Sequence, residues 1–345
     1  MRIYAHILTW NDRRYLPDLF KSLEVQTHED LIVRVLDNGS TDGSLEYIQE
    51  KYPRALVGRN VRNQGFAGGH NQLLRFTFDH LGEGEDSFVV LINADMILDD
   101  HAVERLVEVL KKDATIGSVQ PKVYRAFGEN LGDEVLEQTV KSEILDTTGL
   151  RVRKGFRMSD RGAGEMDAGQ YDEDLDIFGP SGAMVMFRLG AIRSVELEGE
   201  WFDGDFFTYR EDCDLAWRMR RAGWKSLFTP TAIAYHYRGM YGAEKQGFIE
   251  RLRNRRSQRP FFAAHSTRNQ FFMLVKNLSF TDTVIYAPWL FFFEGIRFWY
   301  GMVFEPRTRR ALLRSRKLFR CMRKKRKALK EYDRVPKKEL RTYVS

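Results

Sequence analysis

The sequence predicts an α/β domain built on a mainly parallel sheet with helices on both sides, followed by a helical C-terminal extension. Three observations predict it. Strand-like apolar runs alternate with helical patterns in the first third of the chain. A polar segment follows each of those runs. Beyond Gly239 the composition turns to aromatic helical stretches and then to a basic tail.

The strands are read at Ile3–Leu8, Leu31–Leu36 and Phe88–Ile92. Leu16, Leu19, Phe20 and Leu23 share one helical face, and Val103, Leu106, Val107 and Leu110 repeat the i, i+3, i+4, i+7 spacing. Residues Ala126–Asp176 are rich in Gly, Asp and Arg with weak periodicity, which reads as long loops or a small excursion close to a site. Regular structure resumes near Ile177. Glu211-Asp212 opens a helix whose apolar face is Leu215, Met219 and Ala222, with Gly223 at its end. A short β-like stretch, Ala232–Ala234, precedes His236. Aromatic helices follow at Phe261–Asn277 and Val284–Phe304. The second is about long enough to span a bilayer, but Pro288, Glu294 and Arg297 interrupt it, so an in-plane or re-entrant helix is expected. The domain reading is residues 1–245 catalytic and 246–345 helical, aromatic, basic and membrane-associating.

Charge supports that division. The 345 residues carry a net charge of +7, yet 17 Lys/Arg against three acids fall between Arg307 and Ser345, so the rest of the chain is net acidic. Leu312, Phe319, Met322 and Leu329 can share a helical face within this tail. A basic amphipathic helix of that kind seeks an anionic membrane surface. Few base-stacking aromatics follow Phe304, so no nucleic-acid partner is expected. The two cysteines, Cys213 and Cys321, give no disulfide framework. The N-terminus alternates like a strand rather than a signal peptide, which places the expected location at the cytoplasmic face of the membrane, peripheral or monotopic.

The polar segments carry the chemistry. Parallel sheets bind ligands beyond the C-terminal ends of their strands, where Thr9-Trp10-Asn11, Asp37-Asn38-Gly39-Ser40 and Asn93-Ala94-Asp95 stand. Asp37 and Asn38 can hydrogen-bond a nucleotide base or ribose, or simply cap the helix that follows. The glycines of Asn63–Asn71 let backbone approach a phosphate closely, as any tight turn also would. Asp95 suits Mg²⁺ or Mn²⁺ bridging phosphates. The run from Asp203 through Tyr209 to Asp212 places acids around an aromatic pair, and Glu211 or Asp212 can serve as a general base. Helix-start electrostatics would account for one or two of those acids. By itself His236 reads as structural.

In order along the chain, Thr9-Trp10-Asn11, Leu36–Ser44, Asn63–Asn71, Asn93-Ala94-Asp95, Gly179–Ala183, Phe206–Arg218 and Tyr235-His236 together resemble family 2 glycosyltransferases of the GT-A fold, most of all the rhamnosyltransferase-like branch. The resemblance covers roughly residues 1 to 280. It implies that Thr9, Asn11, Asp37, Asn38, Asn63, Gly65, Gly69, His70, Asn71 and Asn93 hold the nucleotide. It implies Asp95, with His236, as metal ligands of a DxD-like motif, Asp212 as the base with Glu211 as fallback, and Ser181, Gly182, Asp203, Tyr209, Trp217 and Arg218 along the substrates. Asn93 departs from the first acid of a full DxD, and His70 stands where many relatives carry arginine. The implied activity is inverting, Mn²⁺- or Mg²⁺-dependent transfer of a sugar from a UDP-, dTDP- or GDP-linked donor to a lipid-linked or glycan acceptor. A nucleotidyltransferase would want a basic Gly-rich loop after the first strand, where Thr9-Trp10-Asn11-Asp12 stands instead. A non-catalytic glycan- or membrane-binding scaffold would bind nucleotide without transfer.

Overall fold

The computed structural model describes residues 2–80, 87–129, 138–237 and 260–345. A nine-stranded mixed sheet forms the spine. β1 (Ile3–Thr9) pairs in parallel with β2 (Leu31–Asp37) on one side and β4 (Phe88–Asn93) on the other, and β3 (Leu56–Arg59) extends the set beyond β2. Nearly every residue of β1 and β4 is buried, because helices cover both faces. α1 (Leu16–Glu24), α2 (Ser44–Lys51) and α4 (Ala102–Lys112) put Leu19, Ile48 and Leu106 against one face. α3 (Gly65–His80), α5 (Leu189–Arg193) and α6 (Glu211–Arg221) put Leu74, Ile192 and Met219 against the other.

Beyond β4 the directions mix. β10 (Met184–Arg188) runs antiparallel between β4 and β6 (Ile116–Glu129), and β11 (Lys225–Tyr237) runs parallel to β6. β5 (Met96–Leu98) closes the sheet antiparallel to β11. Much of the stretch expected to be loops or a small excursion is strand: β6 runs on into it, and β7 (Gln138–Thr147), β8 (Leu150–Arg153) and β9 (Arg157–Asp160) lie within it. The apolar signal of β6 is diluted because Ser118, Gln120, Lys122 and Arg125 are buried within it. They are tolerated because they are partnered; Lys122, for example, sits 2.8 Å from Asp167.

The C-terminal helices are α7 (Pro260–Asn277), α8 (Phe280–Ile285), α9 (residues 287–304, through a π turn at Leu290–Glu294), α10 (Pro306–Arg314) and α11 (Arg316–Ala328). The aromatic stretch expected over Val284–Phe304 therefore breaks at Tyr286, ahead of Pro288. Among the described residues, no helix is long and apolar enough to cross a membrane. The division expected at residue 245 lies outside the described residues. The C-terminal helices pack on the α/β half: one apolar cluster joins Leu150, Phe156, Phe178 and Trp217 to Phe272, Met273, Met322 and Leu340. The apolar face expected for the basic tail is turned inward, with Leu312, Met322 and Leu329 buried. Val344 bridges to Val152, and the Ser345 amide donates to the Val152 carbonyl at 3.0 Å.

Candidate active site

Strand register brings the polar segments to one edge. Thr9 stands beside Asp37, and Leu8 beside Asn93. Because β10 runs the other way, its start, Met184, lies beside Ile92, and the Ala183 carbonyl accepts from the Asn93 amide. Gly179–Ala183 thus reaches the same edge as the ends of β1, β2 and β4.

The shelf over β1 and β2 is tied by side chains. Asp37 is fully buried and accepts from the Ser40 amide at 3.1 Å. Asn38 donates to Asn63 at 3.0 Å and to the Gly65 carbonyl at 3.2 Å, and accepts from Asn60 and from the Gln64 amide. Asn11, at φ 60°, accepts from the Thr41 amide at 2.8 Å. The Thr9 hydroxyl donates to Asp12 at 3.2 Å.

At the other end Asp95 lies in the turn between β4 and β5, and β5 pairs with β11 so that His236 is opposite Met96. His236 stands between two carboxylates, 3.1 Å from Asp95 through Nε2 and 2.8 Å from Asp146 through Nδ1. Burial would lower its pKa, but the charges of Asp95 and Asp146 outweigh burial and lift it to about 10. Burial also lifts Asp12 to about 7, with the nearby Asp95 charge adding to the effect. The edge is thus rich in negative charge. Among the described residues no three His, Cys, Asp or Glu side chains form a metal cage. A donor pair supplemented by substrate phosphates is how Mg²⁺ is commonly held. The 3.1 Å Asp95–His236 contact is a hydrogen bond, so His236 would have to give up its Nε2 proton before joining Asp95 on an ion. Asp146 would orient the ring from its far nitrogen. In the sequence Asp146 is legible only as a candidate, with Thr147, Thr148 and Gly149, for part of the substrate specificity, not as the partner of a histidine.

The acidic cluster begins α6. Asp212 is half-buried and accepts from the Gly182 amide at 3.1 Å and the Cys213 amide at 2.7 Å. Burial raises its pKa, and the Asp160 charge raises it further. Glu211 is buried more deeply, one of its carboxylate oxygens has no hydrogen-bond partner among the described residues, and burial pushes its pKa well up. Ser181 is buried with its amide donating to Gln120, while Tyr209 is exposed.

The loop ahead of α6 is strained: Phe207, Tyr209 and Arg210 have φ of 66°, 71° and 75°. α7 holds it. The Asn269 amide donates to the carbonyls of Phe206, Thr208 and Tyr209, each at 2.8 Å, and Arg268 donates to those of Asp205 and Phe206. Sequence reasoning misses Asn269, Lys276 and Asn277, because α7 mixes polar and aromatic residues and only the fold shows that these three polar side chains are buried.

Several expected contacts have other work. Gly65 opens α3 rather than a loop. A Cβ there, at φ 74°, would fall 2.3 Å from the Phe207 carbonyl oxygen, so this glycine admits backbone, not phosphate. Gly69 admits Leu8 in the same way. His70 is buried against Phe66 and Phe202, and burial lowers its pKa to about 3, so it presents no charge to a diphosphate. Asn71 clamps the Trp201–Phe202 backbone. Trp217 is buried and stacked on Phe156, and Arg218 is buried and bonded to Asp214 and to the carbonyls of Val195 and Trp201. Neither reaches a substrate, because α6 is covered nearly all round. Asp203 is buried between Lys276 (2.7 Å) and Lys325 (2.7 Å) and serves the framework.

A helix-covered sheet whose β1, β2 and β4 end together in polar segments on one edge is a GT-A-type domain. Residues 4–193 match the model of glycosyl transferase family 2, and the chain belongs to that family. It is 23% identical over 246 residues to the N-acetylglucosaminyl-diphospho-decaprenol L-rhamnosyltransferase of Mycobacterium tuberculosis, covering 67% of this chain and 74% of that protein. Among solved structures it resembles the mannosyltransferase PcManGT of Pyrobaculum calidifontis in complex with GDP-Man and Mn²⁺, at TM-score 0.50 and 16% identity over 96% of this chain and 85% of that one. It also resembles GalNAc-T7 with UDP, GalNAc and Mn²⁺, at TM-score 0.57 and 13% identity over 80% of this chain, spanning about half (48%) of that protein's length. These structural likenesses bear out the GT-A-type fold.

Proposed function

We propose that the protein is an inverting, divalent-metal-assisted glycosyltransferase that moves a sugar from a nucleotide-sugar donor to a hydroxyl of a lipid-linked acceptor. The observation that carries this reading is the Asp212 carboxylate at the Gly182 amide, on the same sheet edge as the Asp95–His236 pair. Asn11, Asn63 and Asn93 would line the nucleotide, over a floor formed by the buried Thr9, Asp37 and Asn38. Asp95 and His236 would hold Mn²⁺ or Mg²⁺, which when bound offsets the charge on the leaving diphosphate.

In this reading Asp212 takes the acceptor hydroxyl proton while that oxygen attacks the anomeric carbon opposite the leaving group, which inverts configuration. Glu211, sealed beneath it, is the weaker candidate for base. Ser181, Gly182 and Tyr209 would border the sugar. The lipid-linked acceptor is carried over from the mycobacterial relative, and the helical region assigned to 246–345 would work at the cytoplasmic membrane surface, with residues 1–245 catalytic.

The test is nucleoside diphosphate release from UDP-, dTDP- and GDP-sugars with Mn²⁺, Mg²⁺ or EDTA, with and without membrane lipid extract. Metal-dependent release with one donor, lost in Asp95→Ala and cut about 10²–10⁴-fold in Asp212→Asn, is expected. Near-normal transfer by Asp212→Asn would remove it from the role.

A further inference from the structure

α7 and α10 border a half-open cavity of about 250 Å³ that the transfer chemistry leaves unused. Arg307, Arg310 and Arg314 line it from α10 at i, i+3 and i+7, so they share one face. Arg268, His265 and Phe261 line it from α7 at matching intervals. Four of the eight lining residues are arginine and none is acidic. Among the described residues, no carboxylate forms an ion pair with Arg307, Arg310 or Arg314. Arginines bordering a hollow with a mostly apolar wall fit a compact, multiply charged oxyanion carried on an apolar chain, the oxyanion being bound through paired N–H donors.

Two features of the surroundings say which one. The first is the ridge beside it. α9 exposes Phe292, Ile296, Trp299 and Val303 at i, i+4, i+7 and i+11, with Phe291 86% exposed nearby. Such a continuous apolar face on a folded protein marks contact with lipid or another apolar partner. The ridge leads straight into the arginine helix, since α10 begins two residues after Phe304. A Cβ on Gly301 would fall 2.8 Å from the Thr308 side chain and 3.9 Å from that of Thr267, so α7, α9 and α10 meet closely here. The second feature is the link to the candidate base. Arg268 donates to the carbonyls of Asp205 and Phe206, and the His265 ring lies 5.4 Å from that of Phe207. The cavity wall and Asp212 are therefore joined through the loop 203–212.

We propose that this cavity binds the diphosphate of an isoprenoid-linked acceptor while the α9 ridge sits in the surrounding lipid. The inference rests on the lipid-linked acceptor proposed above. It adds where the phosphates are held, and so how the acceptor hydroxyl is presented to the loop carrying the base. A flat anionic leaflet would be met by charges spread over a surface, whereas these arginines converge on one hollow.

The test uses the full chain and needs no sugar donor. Binding is measured to phosphatidylcholine vesicles doped with undecaprenyl diphosphate, and to vesicles doped with phosphatidylglycerol to equal surface charge. The wild type is expected to prefer the diphosphate by about tenfold or more. Arg310→Ala/Arg314→Ala should lose that preference. Arg323→Ala/Lys324→Ala removes the same charge from exposed positions on α11 and should keep it. Melting curves check that each variant is folded. Equal binding to both vesicles by the wild type would overturn the proposal in favour of bulk leaflet attraction. A preference that survives in the α10 variant, or is lost equally in the α11 variant, would overturn it too. Failure of the glycosyltransferase reading would appear separately, as silence in the donor-release assay.

Discussion

Lys325→Met asks whether the basic C-terminal segment is part of the folded enzyme. Lys325 is buried, 2.7 Å from Asp203 and 2.9 Å from Asp205. Asp203 also binds Lys276, which binds Asp214, which binds Arg218. Three cations thus face three carboxylates. Burial alone would raise the Asp203 pKa, but Lys276 and Lys325 more than reverse that and hold it below the usual range. The methionine keeps most of the stem's packing and removes one positive charge, leaving the cluster with an unbalanced carboxylate. Breaking a buried pair from one side costs about 3–5 kcal/mol. Asp205 is a quarter exposed, so the lower end, about 3 kcal/mol, applies. With an unfolding entropy of about 0.7 kcal/mol/K for a chain of this size, the melting temperature should fall by about 4 °C. Asp203→Asn with Lys325→Met should cost less than the two separate losses combined, by about 2 kcal/mol. Calorimetry or a fluorescence melt on the four proteins reads both quantities. A shift under about 1 °C, or simple additivity, would refute the argument that α11 is anchored through this cluster.

The site itself carries three further expected outcomes. Asp212 must be ionised to act as base and burial raises its pKa, so activity should fall as pH drops through a value above the ordinary carboxylate range of about 4; Asp160→Asn, which removes a like charge, should move that acid limb to lower pH in a kcat/KM profile. Gly65→Ala should destabilise by about 2 kcal/mol or more and slow transfer, because its Cβ would meet the Phe207 backbone at 2.3 Å; an unchanged melting temperature would count against that contact. Asp146→Asn should weaken metal binding about 10- to 100-fold while leaving the protein folded, if Asp146 orients His236; titration of Mn²⁺ by its paramagnetic effect would show unchanged affinity if it does not.

Much of the fold is readable in the chain. β1, β2 and β4 are apolar runs ended by polar turns, interrupted only by His6 and Arg34, because parallel strands covered on both faces admit few polar side chains. The residues at their ends fall on one edge as expected. β6 escapes because it buries Ser118, Gln120, Lys122 and Arg125, which are answered by Ser226, the Ser181 amide, Asp167 and Asp146 outside the strand. For Trp217 and Arg218 the local pattern reveals the helix but not its surroundings; ten of the eleven residues of α6 are buried, so no amphipathic stripe shows which side faces a cleft. His236 and Asp146 are 90 residues apart and meet only through β11 and β7, which no local pattern announces. In the C-terminal region the pattern of charge and aromatic residues is clear, while the inward turn of the tail's apolar face depends on a cluster from Leu150 to Trp217 that only the tertiary fold assembles.

The lysine that completes the Asp203 cluster lies 122 residues later in the chain. A ribosome adding about 5–20 residues per second needs roughly ten seconds to make that interval. Throughout it, the strained turn leading to Asp212 exists without its final clasp. The sheet can form early, but the turn at its edge is clasped only once Lys325 has been made, so the order of synthesis holds that edge loose until α11 follows.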